Sequence, residues 1–210
     1  MHFEPGGIYH IYNQGNNKQP IFFTRENYLF FLRKISTHIL PYGELLAYCL
    51  MPNHFHLMVE VQVVELPGHT HGVTAPHMPG SHPVNMQAKP ITLNSSIGIM
   101  LRSYTRAINI QEHRTGALFR EETKSICLNE LHGFTSNWYS SYGVTFLNVY
   151  IPQWQYAQVC FNYIHNNPVK AGLVKNPEDW EFSSYPGLKG QQTDSLVNSK
   201  RVEELGLSIL

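Results

Sequence analysis

The sequence predicts an α+β protein with an antiparallel sheet packed against helices, and three observations predict it. Short segments of strand formers recur at residues 7–13, 44–50 and 54–60, and the last two are joined by the tight turn Met51-Pro52-Asn53. Longer segments carry apolar residues at helical spacing. The two kinds succeed one another as strand, helix, strand, strand, helix, strand, and then a further helix. That order is the ferredoxin-like split βαβ order. An antiparallel sheet with helices on one face leaves its other face for a site.

Gly7-Ile-Tyr-His-Ile-Tyr-Asn13 alternates and reads as the first strand, closed by a turn at Gln14-Gly-Asn-Asn17. Thr24 is the expected N-cap of a helix running to about Ile39, with Tyr28, Phe31, Leu32, Ile35 and Ile39 as its apolar stripe. Pro41-Tyr42-Gly43 ends it, and residues 44–50 and 54–60 form a hairpin. From 62 to 96, Pro, Gly, His, Ser and Thr displace any periodicity, so a long mobile insertion is expected. Ser95 or Ser96 caps a second helix running to about His113, with Ile97, Met100, Leu101, Tyr104 and Ile108 buried. Residues 116–126 read as a fourth strand. Residues 129–151 lack a clear period and read as a second insertion. A last helix is expected from about Pro152 to about Asn166, because Pro168 disfavours helical geometry at Asn167. A turn follows at Pro177-Glu-Asp-Trp180. Residues 1–188 thus read as a single domain, and 189–210 as a polar, loosely held tail.

Composition narrows the function classes. Lys plus Arg and Asp plus Glu both number 15, so global charge gives no nucleic-acid signature and any such site must be a local patch. Cys49, Cys127 and Cys160 are too far apart for a zinc pattern or a disulfide framework, and read as reduced thiols. No apolar run reaches membrane-spanning length, and the first residues do not resemble a signal peptide. A cytoplasmic protein is expected.

The chemistry concentrates in two short runs. His54-Phe55-His56 lies in a strand, so both imidazoles face one way and Phe55 faces the core. Alternate residues on a strand are roughly 6–7 Å apart, close enough to share one ion. In the run Tyr163-Ile-His-Asn-Asn-Pro-Val-Lys-Ala-Gly172, Tyr163 and Asn167 are one helical turn apart. An amide oxygen is a hard ligand suited to Mg²⁺ or Mn²⁺. A phenol beside it can attack what the ion polarises.

Four runs occur in order: Tyr9-His-Ile-Tyr-Asn-Gln-Gly15, Met51-Pro-Asn-His-Phe-His-Leu57, the Tyr163–Gly172 run, and Trp180-Glu-Phe-Ser-Ser-Tyr185. Together they resemble the HUH-type single-tyrosine transposases, which include insertion-sequence enzymes and REP-associated tyrosine transposases. The likeness spans roughly residues 7–188, less the two insertions. It implies a transposase-like catalytic domain whose additional helix, after the sheet, is catalytic. It also implies His54, His56 and Asn167 as ligands of Mg²⁺ or Mn²⁺, and Tyr163 as the nucleophile. The implied activity is cleavage and rejoining of single-stranded DNA at hairpin or palindromic sites through a 5′-phosphotyrosine. Whether the site forms within one chain or across a homodimer stays open.

Arg102, Arg106, Arg120, Lys124 and Lys170 are the basic residues expected to face DNA, with Arg114 beside them in sequence; an ordinary solvated face is the competing reading. The histidine pair could be half-buried and inert, Tyr163 a core tyrosine, and Asn167 a simple helix end. His165 is expected to be structural or to contact phosphate. His69, His71, His77 and His82 lie in the first insertion without metal-ligand spacing. Two alternatives to the strand transferase are a domesticated, non-cleaving nucleic-acid binder on the same scaffold and a phosphodiesterase that uses water.

Overall fold

Alternation within the first strand decides which side chains meet the helices and which meet the site. The computed structural model describes residues 1–68, 89–129, 138–141, 144–147, 153–191 and 196–209. Strands β1 (Ile8–Gln14), β2 (Gly43–Met51), β3 (His54–Val61) and a late strand, Lys124–Cys127, form a four-stranded sheet with the late strand beside β1. Every pairing is antiparallel; Tyr12 faces His56 across β1 and β3, and Met51 faces His54 across the hairpin. The sheet is the expected antiparallel one, and the order along it places β3 between β2 and β1.

One face carries two helices. Helix α1 (Arg25–His38) begins where the Asn27 side chain accepts from the backbone N–H groups of Phe23 and Thr24, at 3.0 and 3.1 Å. The predicted start and end of this helix match. Its Tyr28, Phe31 and Ile35 are buried. Phe31 packs on Phe55 of β3 (centroids 5.1 Å) and edge-on against Tyr104 (4.9 Å). Tyr104 is fully buried, and its hydroxyl donates to the Ile21 carbonyl at 2.8 Å. Each such side chain contributes about 1.5–3 kcal/mol through burial.

The first insertion is shorter than expected at both ends. Strands β4 (Glu65–Leu66) and β5 (Ile91–Thr92) pair and close its base. Helix α2 (Leu93–Gln111) therefore starts at Leu93, capped by Thr92, whose hydroxyl accepts from Ser95 N; Ser95 and Ser96 are inside the helix. The predicted stripe of α2 is buried throughout. The centre of the insertion, with His69, His71, His77 and His82, lies outside the described residues.

The fourth strand of the sheet, β6 (Lys124–Cys127), is shorter than the predicted 116–126. The Asn13 side-chain amide donates to Arg120 O (3.2 Å) and Thr123 Oγ1 (2.9 Å), so a side chain holds this stretch beside β1 where ladder bonds were expected. In the second insertion, backbone strands β7 (Trp138–Ser141) and β8 (Val144–Leu147) pair antiparallel; the rest of it lies outside the described residues.

Helix α3 (Gln153–Lys170) crosses β2 and β3 on the second face. It does not stop before Pro168, as expected, but runs through it to Lys170, and Gly172 just beyond, with φ of +69°, suits a helix C-terminus. The proline takes a ladder donor from Ile164 O. The Asn167 side-chain Nδ2 sits 3.5 Å from that oxygen and donates to Tyr163 O at 2.8 Å. Burial of Phe161 and Ile164 holds the helix against the local preference of residue 167.

Residues 182–184 lie along the edge of β2, with Leu50 N donating to Phe182 O (2.8 Å) and Ser184 N to Tyr48 O (3.0 Å). A short helix α4 (Tyr185–Leu188) follows, then α5 (Ser199–Glu204). The expectation of a loosely held tail fails over residues 196–209. Val197, Val202 and Leu207 are buried, and Arg201 grips the buried Glu60 carboxylate with Nε and Nη2 at 2.7 and 2.6 Å. No described helix is long and apolar enough to cross a membrane.

Candidate active site

The strand pleat sets His54 and His56 side by side on the face that α3 covers, with ring centroids 5.0 Å apart. Asn53 orients the first. Its Nδ2 donates to the Lys18 carbonyl (3.2 Å), which fixes its Oδ1 as the acceptor facing His54 Nδ1 at 2.6 Å. In the neutral ring His54 Nδ1 must then carry the hydrogen, and Nε2, the nitrogen on the Asn167 side, is the one with the lone pair.

His56 is 4% exposed. Its Nδ1 lies 2.8 Å from Nε2 of His10, a neighbour on β1. Its Nε2 is buried and has no hydrogen-bond partner among the described residues. Burial holds His10 down to about 4 and His56 well below the usual imidazole range, with like charge on His10 and His54 adding to the second effect. Burial also lowers His54, with a hydrogen bond to Asn167 opposing it. All three rings are therefore neutral near pH 7, the state in which imidazole binds a metal.

Tyr163 reaches the pair from α3. Its ring centroid is 5.4 Å from that of His56 and 6.1 Å from that of His10, and the residue is 40% exposed, so it is not a core tyrosine. Partial burial pushes its phenol above the ordinary value, while a hydrogen bond from Asn167 pulls the other way. Lys170 sets its ammonium 5.1 Å from the Tyr163 ring centroid. Asn167 is largely buried. Tyr163 O and Ile164 O are both acceptors, so they draw its NH₂ towards the helix and turn Oδ1 towards His54. The four residues of the predicted site thus meet at one place.

Among the described residues, no group of three or more His, Cys, Asp or Glu side chains has metal-centre geometry. A set of two imidazoles and an amide falls outside that class. Its fit to a hard divalent ion rests on the buried, unpartnered His56 Nε2 and on the lone pairs of His54 Nε2 and the Asn167 amide oxygen, two acceptors that meet each other.

No family model matches this chain, and no curated protein does. A solved structure does: a REP-associated tyrosine transposase bound to a REP hairpin, with a TM-score of 0.53, 13% identity and coverage of 94% of each chain. The two chains share a fold. At that identity the likeness extends to the architecture.

The predicted basic residues divide among three places. Arg102, Arg106 and Arg120 line one cavity of about 600 Å³ with Arg114, Asn13 and Asn109. Asn13 alternates with Tyr12 on β1, so this cavity belongs to the sheet face opposite the histidines. None of these four guanidinium groups has a carboxylate ion pair among the described residues. Lys124 instead pairs with Glu122, and Lys170 belongs to the tyrosine site.

His10 and Asn53 took no part in the sequence-based site. Both stand in the quoted motifs. The signal for His10 was its alternation with Ile11, which turns it to the same face as Tyr12 once β1 is registered on β3. His165 is buried and bonds Ser184 Oγ through Nε2 at 2.8 Å, tying α3 to the edge of β2.

Proposed function

We propose that this chain is a metal-dependent endonuclease and strand transferase for single-stranded DNA, a transposase of the tyrosine type acting at hairpin or palindromic sites. The observation that carries the reading is the convergence of Tyr163 and Asn167 on the His54–His56 pair. The shared fold with a transposase bound to a DNA hairpin supports it, and the antiparallel four-stranded sheet fits the ferredoxin-like reading of the element order.

In this reading His54 Nε2, His56 Nε2 and Asn167 Oδ1 hold Mg²⁺ or Mn²⁺. When bound, the ion supplies Lewis-acid polarisation of the scissile phosphate. Tyr163 is the nucleophile. Its oxygen bonds to phosphorus as the bond from phosphorus to the 3′ oxygen breaks, and the phenol's proton is lost while the departing oxygen gains one. The products are a 5′-phosphotyrosine and a free 3′-hydroxyl. Lys170 stands close enough to favour the phenolate electrostatically. A phenol with pKa near 10 leaves more readily than an alcohol, so a DNA 3′-hydroxyl reverses the step without ATP. Arg102, Arg106, Arg114 and Arg120 offer a phosphate-binding surface on the other face, where a hairpin stem would be held.

The test mixes purified protein with single-stranded hairpin DNA and Mn²⁺ and resolves the products on a denaturing gel. A covalent adduct in the wild type that is absent in Tyr163→Phe is expected. Hairpin binding without an adduct, indifferent to metal, would point to a non-cleaving binder. Free 5′-phosphate ends without trapped protein would point to hydrolysis.

A further inference from the structure

His10 is buried at 7% exposure, yet the proposed chemistry makes no use of it. Its ring stacks on Tyr12 (centroids 4.8 Å) and meets His56 edge to edge (centroids 5.0 Å), so it has little freedom to turn. Its Nε2 lies 2.8 Å from Nδ1 of His56. Two neutral imidazoles in contact through one nitrogen each share one hydrogen, and the bond can run in either direction.

The two directions have different consequences at the far side of His56. If His10 donates, His56 carries its own hydrogen on Nε2. That N–H is then buried without an acceptor among the described residues, and no cation can satisfy it. If His56 donates from Nδ1, its Nε2 presents a bare lone pair that a cation can take.

We infer that His10 is a positioning residue: it accepts from His56 Nδ1–H, holds that ring in one tautomer and orientation, and so aims the His56 Nε2 lone pair at a divalent cation shared with His54. The inference rests on the reading of His54 and His56 as ligands. His10 is not itself a ligand through Nε2, which His56 occupies. The arrangement parallels that of Asn53, which holds the other imidazole through its Nδ1. Each proposed histidine ligand thus has a polar neighbour that assigns its hydrogen, as ligating histidines require.

The experiment uses the full chain. Long-range ¹H–¹⁵N spectra of the metal-free wild type at pH 7.5 report the tautomer of His56; Nδ1–H with a bare Nε2 is expected. Titration with Mn²⁺ alone, followed by calorimetry, is then compared among wild type, His10→Phe and His10→Gln. Phenylalanine keeps an aromatic ring on Tyr12 and removes the acceptor. Glutamine returns an acceptor oxygen near the position of Nε2. Affinity should fall about 10- to 100-fold in His10→Phe and largely recover in His10→Gln. A wild-type His56 found as the Nε2–H tautomer overturns the inference, even if His10→Phe fails to fold. So does a folded His10→Phe that binds Mn²⁺ as tightly as the wild type. A wild type that binds no Mn²⁺ sinks the metal reading itself and this inference with it. That result is distinct from a wild type that binds Mn²⁺ without help from His10.

Discussion

The side-chain amide of Asn167 donates to the main-chain carbonyl of Tyr163, 2.8 Å away, and lies beside the carbonyl of Ile164 that Pro168 leaves without its helical donor. The bond fixes which end of the amide faces the histidines. The missing ladder bond and the orientation of a proposed ligand therefore meet at one side chain.

Replacing Pro168 should separate the two effects. Pro168→Ala restores a backbone donor to Ile164 O, and an interior proline costs a helix about 3 kcal/mol. Because Asn167 already offsets part of that, a gain of about 1–2 kcal/mol in urea unfolding is expected. The yield of covalent adduct should fall, since the amide no longer has a unique place. Unchanged stability would show that Asn167 repairs the break fully.

Metal should stabilise the protein only where both imidazoles are present. A ligand that binds the folded state alone raises the unfolding midpoint by mass action. Thermal scans with and without Mn²⁺ should show an upward shift in the wild type, its loss in His54→Ala and His56→Ala, and its reversal by chelator. An equal shift in all three would place the ion elsewhere.

Acid should weaken the fold through its buried histidines. Burial lowers His165 to about 3 and His10 to about 4. Each binds a proton in the unfolded chain below about pH 6.5 while the folded chain refuses it. Their contribution is therefore present above pH 6.5 and is lost as pH falls towards those lowered values. At pH 5 the loss is about 2 kcal/mol for each group. Urea midpoints at pH 7.5 and pH 5 measure it, and the slope should flatten in His165→Gln. A midpoint that stays level across this range would show that the two rings are not held neutral.

The docked C-terminal segment has its own anchor. The Glu60 side chain is 11% exposed and bonds Arg201 through two nitrogens. Arg201→Gln would leave that carboxylate without its guanidinium partner and should loosen the segment. Proteolysis should then cut within 196–209 in the variant and spare the wild type.

The arginine cavity makes a prediction about salt. If Arg102 and Arg106 neutralise phosphates, their replacement by glutamine should lower the slope of log affinity for hairpin DNA against log salt by about 0.7–0.9 for each phosphate left without its arginine. Adduct formation by a pre-bound short strand should change little. An unchanged slope would return the cavity to an ordinary solvated surface.

Much of the site was legible because two periods place it. Strand alternation set His54 and His56 together, and the helical turn set Tyr163 over Asn167. What was not legible depends on interactions distant in sequence. The short β6 follows from the grip of Asn13 on Thr123, 110 residues away. The ordered C-terminus follows from the pairing of Arg201 with Glu60, 141 residues away. Continuation of α3 through Pro168 depends on an asparagine whose local preference argues for a stop. His10 entered the site only through the register of β1 on β3.

The strip of chain at 182–184 bears on biosynthesis. Tyr48 meets its partner Ser184 across 136 residues. Until that strip leaves the ribosome, β2 has a bare edge open to any other nascent strand. At translation speeds the interval is on the order of ten seconds. Chaperone dependence during synthesis, and insolubility of fragments ending before residue 182, follow from this late closure rather than from the composition of the chain.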